Sequence, residues 1–95
     1  MSVTFRIPTI LRPYIGGEST IAVEPAGAQT LSDAITALEL AAPGISARII
    51  DDNGALRRFV NVYIGDDDVR FLEGLATPIA AGSTISIIPA VAGGC

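Results

Sequence analysis

Lysine, histidine and tryptophan are absent from this chain of 95 residues, and its single cysteine, Cys95, stands at the last position. Without histidine the chain cannot form a catalytic dyad or triad with an imidazole base, and without lysine it cannot form a Schiff base. One thiol is too few for a zinc site of cysteine and histidine ligands, and it cannot form an internal disulfide. We therefore expect neither an enzyme nor a disulfide-rich secreted domain, and we expect no metal or cofactor bound by this chain.

Positive charge is also scarce. The six basic residues are all arginines, and ten acidic residues bring the net charge to −4, whereas nucleic-acid-binding proteins usually present a basic face. No apolar run approaches the ~20 residues that span a bilayer, and Met1–Arg6 lacks the features of a signal peptide. We expect one cytoplasmic domain with neither a membrane nor a nucleic acid as partner.

Alternation of apolar and polar residues predicts five strands separated by turn signals. The first two are joined by a long turn rich in proline and glycine, and we expect them to pair antiparallel. Within the last strand, Ile85 and Ile87 should point into the core and Ile88 outward. The predicted strands are residues 3–8, 18–24, 59–64, 69–71 (a short one) and 84–89, with a turn at 65–68 and mostly loop at 74–82.

A single amphipathic helix is predicted between the second and third strands. Thr30 is its expected N-cap, with Asp33 three residues later completing a capping box, and Pro43-Gly44 should end it. A short helical turn is expected within residues 45–50. One helix covers only one face of a sheet, so the opposite face is left to solvent or to a partner. The buried stripe of the helix is predicted to be Leu31, Ala34, Ile35, Leu38 and Ala42.

The last six residues form a segment of small side chains without periodicity. Fully extended, they reach about 20 Å, and Gly93 and Gly94 lack the Cβ that would hinder passage through a narrow channel. With Ala92, they could deliver a carboxylate into the active site of another protein. The alternative is an ordinary frayed terminus. We therefore divide the chain into a domain, residues 1–89, and a flexible tail, residues 90–95.

Three other features of the sequence are candidate sites. The run Asp66-Asp67-Asp68 points three adjacent side chains in different directions, which favours a solvated turn over a cation site. Phe59, Tyr63 and Ile88 are a candidate partner-binding patch on the open face of the sheet, the alternative being isolated surface side chains. Cys95 has no neighbouring group that would lower its pKa, so its position after two glycines matters more than its reactivity.

The predicted element order, ending in Gly-Gly, resembles the ubiquitin-like β-grasp fold, an α+β fold with a mixed sheet covered on one face by one helix. The sequence itself is similar to the ThiS/MoaD family of ubiquitin-like sulfur carriers, and within it to the CysO type, which serves cysteine biosynthesis. The similarity is dense in the C-terminal third and extends over nearly the whole chain. The residues that carry it are 61–64, 68–71, 74–78, 82 and 88–94, with 7–13, 44–46 and 58–61.

The resemblance implies a reaction sequence in which this chain is a substrate of other proteins. A ubiquitin-activating-like adenylyltransferase and sulfurtransferase would activate the Gly94 carboxylate with ATP and Mg²⁺, and a sulfur donor would convert it to a thiocarboxylate. A cysteine synthase dependent on PLP would then use that sulfur on O-phosphoserine. A zinc metalloprotease of the JAMM type would finally release the cysteine from Gly94.

Cys95 departs from the family pattern, which usually ends at Gly-Gly. Three accounts are open: an encoded extension trimmed before activation, the carrier–cysteine product or a mimic of it, and an added handle. Two other functions are also open. One is the small subunit of molybdopterin synthase (the MoaD type), and the other is a ubiquitin-like modifier or binding module that is never thiolated.

Overall fold

A computed structural model of the chain describes residues 2–25, 30–57 and 60–89. Within these residues a five-stranded sheet packs one face against a single α-helix. This is the mixed sheet with one covering helix that the sequence predicts. The elements are β1 (Val3–Arg6), β2 (Thr20–Val23), α1 (Leu31–Ala41), β3 (Val60–Ile64), β4 (Asp67–Asp68) and β5 (Thr84–Pro89).

The sheet has the strand order β2-β1-β5-β3-β4, so the first and last strands are neighbours at its centre. β1 pairs antiparallel with β2, as predicted, and parallel with β5, with Phe5 opposite Ile85. β5 pairs antiparallel with β3, with Val62 opposite Ile87. This topology, with a crossover that contains the helix, is the β-grasp arrangement.

The core lies between the helix and the covered face of the sheet. Alternate residues of the central strands are buried there, as their sequence pattern predicts: Phe5 and Ile85 are fully buried, and Ile87 is 4% exposed. Ile88 points the other way and is 46% exposed, which confirms the predicted orientation. All five residues of the predicted helix stripe are buried: Leu31, Ala34, Ile35, Leu38 and Ala42.

The helix begins and ends as the sequence predicts. The capping box is complete, because the Thr30 side chain accepts from the Asp33 backbone N–H and the Thr30 N–H donates to the Asp33 carboxylate. At the other end the Glu39 carboxylate accepts hydrogen bonds from Gly44 N at 2.8 Å and Ser46 N at 3.0 Å. These bonds, the one from Gly44 first, lower the pKa of Glu39.

Two assignments near the third strand were wrong. Residues 69–71 were predicted as a short strand but form a 3-10 helix, Val69–Phe71. The short strand is instead Asp67–Asp68, which the sequence pattern assigned to the turn. The physical reason is a local cap, because an Asp68 carboxylate oxygen accepts from Arg70 N at 2.8 Å and starts a helical turn that buries Val69.

The connection between β1 and β2 also holds more structure than the long turn that was predicted. It forms a 3-10 helix, Thr9–Ile15, which inserts Leu11 into the core. Tyr14 of this helix packs over Gly44, where an added Cβ would lie 3.2 Å from the ring. The helical turn expected within residues 45–50 is confirmed as a 3-10 helix, Ser46–Arg48.

Candidate functional site

The last strand, β5, leads directly into the predicted tail. Its inward side chains, Ile85 and Ile87, anchor it in the core, and its hydrogen-bonded partner β3 follows it to the end, where Val60 lies opposite Pro89. β1 pairs with the first half of β5, Thr84–Ser86, so the last residues of β5 are paired with β3 alone. The predicted threading and activation residues, Ala92, Gly93 and Gly94, and the extension Cys95 lie outside the described residues, so their roles stay predictions.

The open face of the sheet carries two members of the predicted partner-binding patch. Tyr63 lies opposite Ser86, and Ile88 lies opposite Asn61 on the same two strands. Tyr63 and Ile88 are therefore diagonal neighbours on one face, close enough for an aromatic side chain to reach across. Tyr63 is half-buried and Ile88 is 46% exposed. The third member, Phe59, lies outside the described residues.

The acidic run does not converge on a point. Asp67 and Asp68 are successive residues of β4, whose side chains therefore point to opposite faces, and Asp68 is engaged in capping the following turn. In the part of the chain that the structure describes, no three cysteine, histidine or acidic residues lie where they could share a metal ion. None of the helices in the described ranges has the length and apolar character that crossing a bilayer requires.

A groove beside the end of β5 was not predicted. It has a volume of about 540 Å³ and lies between the end of β1, the following 3-10 helix and the last residues of β5. Two arginines line it: Arg6, on the open face, and Arg12, whose Nε donates to Ile7 O at 3.1 Å. Ile88 of the patch lines the same groove, so the groove is continuous with the open face.

A second groove, of about 250 Å³, shares Pro8, Ile10 and Ile87 with the first. Arg48 and Arg57 line it together with Val60. Arg57 Nε donates to Ala47 O at 2.7 Å, and Arg48 Nε donates to the Tyr14 hydroxyl at 3.0 Å. The bond to Tyr14 is the main reason that the pKa of Arg48 is raised.

The fifth arginine in the described ranges, Arg70, holds the beginning of β3 in place. Its Nη1 donates to Asn61 Oδ1 at 2.5 Å, and its Nη2 donates to Val60 O at 2.7 Å and to Arg57 O at 2.6 Å. Since Val60 and Asn61 are the partners of Pro89 and Ile88, this side chain supports the point where the chain leaves the sheet. It has a positioning role that the sequence pattern did not predict.

Sequence reasoning also missed an exposed apolar pair, Phe71 (87% exposed) and Leu72 (48% exposed), because residues 69–71 were assigned to a strand. The signal for the arginine cluster was present in the composition, since every basic residue is an arginine, but its location depends on the topology. Arginine, unlike lysine, binds planar acceptors with a fixed fork of donors, which suits it to both positioning and interfaces.

Comparison with known proteins places these features in context. The family model described as the ThiS family matches residues 5–94, so that Cys95 lies beyond the match. The "Sulfur carrier protein CysO" of Mycobacterium tuberculosis is 51% identical over 96 residues, covering 99% of this chain and 100% of that protein.

Solved structures agree with the β-grasp fold. The crystal structure of M. tuberculosis CysO superimposes with a TM-score of 0.84 at 49% identity, covering 94% of this chain and 99% of that one. A chain of the Amycolatopsis orientalis BexX/CysO complex matches with a TM-score of 0.85 at 47% identity, covering 97% and 99%. SAMP1 of Haloferax volcanii matches with a TM-score of 0.81 at 29% identity, covering 99% and 100%.

Proposed function

This chain belongs to the ThiS family, and from that membership we propose that it is a sulfur carrier protein that serves cysteine biosynthesis. The observation that carries the proposal is the similarity to CysO, whose 51% identity extends over essentially the full length of both proteins. The fold supports it, because β5, the strand that precedes the last residues, is paired with both β1 and β3 at the centre of the sheet. The chain would then be a protein substrate and not a catalyst.

The proposed chemistry takes place at the Gly94 carboxylate of the form that ends at this residue. A carboxylate oxygen attacks the α-phosphorus of ATP in an adenylyltransferase, which uses Mg²⁺, and pyrophosphate leaves. A sulfur donor then displaces AMP from the acyl-adenylate, which leaves a thiocarboxylate at Gly94. All catalytic groups and cofactors in these steps belong to the partner enzymes.

The thiocarboxylate would then supply sulfur to a synthase that depends on PLP and uses O-phosphoserine. The phosphate leaves as the sulfur bonds to the serine-derived carbon, and an acyl shift from sulfur to nitrogen leaves cysteine joined to Gly94 by an amide. That product has the sequence Gly-Gly-Cys, which is how this sequence ends. A zinc metalloprotease of the JAMM type would release the cysteine. The BexX/CysO crystal structure supports the general idea that such carriers bind partner proteins.

Intact-mass spectrometry tests the proposal. The form ending at Gly94 is incubated with the adenylyltransferase of its host, ATP, Mg²⁺ and sulfide. We expect the mass gain that accompanies replacement of one oxygen by sulfur. The form that retains Cys95 is a matched control, because its Gly94 carboxyl is in a peptide bond and should not react. If the Gly94-ending form never gains this mass with any adenylyltransferase of its host, the sulfur-carrier function is wrong.

A second candidate is a protein modifier that becomes attached to other proteins. The observation that favours it is the similarity to the small archaeal modifier proteins, one of which is 37% identical over 68% of this chain. Because the chain has no lysine, it cannot build polymers of itself through isopeptide bonds to lysine side chains. Conjugates detected with an antibody in host extracts would support this function, whereas a thiocarboxylate without conjugates would support the carrier.

A further inference from the structure

Five arginines surround the point where the chain leaves the sheet, although the net charge of the chain is −4. Two of them line the first groove and two line the second, and Ile87 lines both grooves. The fifth donates to the carbonyl of Val60, which lies opposite Pro89. We call these residues the exit arginines: Arg6, Arg12, Arg48, Arg57 and Arg70.

The positive charge of the exit arginines is not neutralised within the described residues. Every hydrogen bond given above for their guanidinium groups ends on a neutral acceptor: a backbone carbonyl, an amide oxygen or a phenol. Two nearby carboxylates are engaged elsewhere, Glu39 with the N–H groups of Gly44 and Ser46, and Asp51 with those of Asn53 and Ala55. A third, Asp68, accepts from the backbone N–H of Arg70, and the exposed Glu18 adjoins Ser19 of the first groove.

Acidic residues gather at the opposite end of the same strands. Asp66 and Asp67 are exposed at the connection between β3 and β4, where Gly65 N donates to Thr84 O at the beginning of β5. The body of the protein is therefore polarised along β5, with negative charge where this strand begins and positive charge where it ends. A partner that meets the end of β5 encounters a basic surface on an acidic protein.

We infer that the exit arginines bind an acidic surface on the enzyme that accepts the tail. The inference rests on the proposed function. A tail of six residues reaches only about 20 Å, so when it enters an active site the end of β5 must lie against the entrance. A cluster of positive charge at that place fits an entrance lined with acidic side chains, and it orients the carrier before the tail enters. Such complementarity acts mainly on the rate of association.

Stopped-flow measurement of the association rate constant with the adenylyltransferase of the host tests this inference without requiring turnover. The salt concentration is raised from about 0.01 M to about 0.15 M, which shortens the Debye length from ~30 Å to ~8 Å. Replacing Arg6 and Arg12 by glutamine should lower the rate constant roughly tenfold at low salt, and the difference should shrink as salt is added. Arg6→Gln alone removes none of the hydrogen bonds given above. Its smaller decrease in the association rate constant is therefore measured on an unaltered fold.

Two matched variants separate local from overall charge. Replacing both arginines by lysine keeps the charge, so the rate constant should recover. Replacing Ser32 and Thr36 by glutamate changes the net charge by the same two units on the exposed face of the helix. This change should lower the association rate constant much less.

Several outcomes would overturn the inference. These are an association rate that does not depend on salt, equal losses in the arginine and helix variants, and an increase in rate on removing the arginines. The last would mean that the arginines hold the chain's own tail. Self-association at low salt, seen by sedimentation and lost in the arginine variants, would make a second copy the occupant instead. If the association rate depends on salt and on the arginines as expected, but the Gly94-ending form never gains the mass of the thiocarboxylate, the carrier function is refuted and the inference about this surface stands.

Discussion

The two faces of the sheet are formed by alternate residues of the same strands, yet they differ in what they contact. On the covered face Phe5, Val62 and Ile85 are at most 1% exposed and pack in one cluster with the helix. On the open face Arg6 and Ile88 are exposed, and Tyr63 is half-buried. The comparison indicates that folding energy comes mainly from one face, whereas the other is available to a partner.

This division has a physical basis in the size of the chain. A domain of this length has only ~5–15 kcal/mol of stability, and its single helix can cover one face. Substitutions on the covered side should therefore be measured mainly as a loss of unfolding free energy. Substitutions on the open side should be measured mainly as a loss of association, with the fold retained.

The largest expected loss of stability is that of Leu38→Ala on the covered side. Leu38 is fully buried in the middle of the helix stripe, and removing its side chain leaves a cavity beneath the sheet. We expect a cost of about 2–5 kcal/mol in the free energy of unfolding, measured by urea denaturation. A cost below about 1 kcal/mol would mean that the helix is not the main cover of this core.

Arg70→Gln should cause the next largest loss of unfolding free energy, because Arg70 donates three hydrogen bonds at and just before the beginning of β3. The shorter side chain cannot reach Val60 O and Arg57 O together, so we expect a loss of about 1–2 kcal/mol. Hydrogen exchange at the beginning of β3 should accelerate. Arg6→Gln is the matched control and should change the unfolding free energy by less than about 0.5 kcal/mol. Equal effects of the two variants would contradict the positioning role.

Glu39→Gln is expected to act through pH and to have a smaller effect. The pKa of Glu39 is lowered in the folded protein, so its contribution to stability is present above the unfolded-state pKa and is lost as pH falls through the folded-state pKa, below its ordinary value of 4.5. The Tm difference between the parent and this variant should therefore be larger at neutral pH than in acid. Leu40→Gln, one residue later and exposed, adds no titrating group, and its Tm difference should not depend on pH in this way. A pH-independent difference for Glu39→Gln would mean that the ionised carboxylate does not stabilise the fold through its bonds to Gly44 N and Ser46 N.

Sequence periodicity predicted the parts of the fold that depend on one-sided burial. Alternation of apolar residues identified the inward side chains of β5, and Thr30 with Asp33 located the beginning of the helix. These signals are local, because each depends on residues within a few positions of one another. The residues of the covered face could therefore be predicted from the sequence.

The parts that were missed depend on contacts between distant segments. The 3-10 helix Thr9–Ile15 is held by Leu11, which is buried in the core, and by Tyr14. The Tyr14 hydroxyl accepts a hydrogen bond from Arg48 Nε, 34 positions later in the chain. The exit arginines come together because β5 lies between β1 and β3 in the sheet. The predicted chemistry at Gly94 follows from the resemblance to a family, since no local pattern distinguishes a reactive terminus from a frayed one.

The smallest expected change in stability, and the sharpest test of the open face, is that of Ile88→Ser. Because Ile88 is 46% exposed and faces away from the helix, its replacement should change the unfolding free energy by less than about 0.5 kcal/mol. Its side chain belongs to the predicted patch and lines the first groove, so we expect a loss of affinity for the adenylyltransferase proposed as partner of about tenfold, or ~1.4 kcal/mol. Leu40→Ser is the matched control, since Leu40 is 82% exposed on the helix. If both variants weaken binding equally, recognition is not confined to the open face, and the contrast between the two sides of the molecule fails.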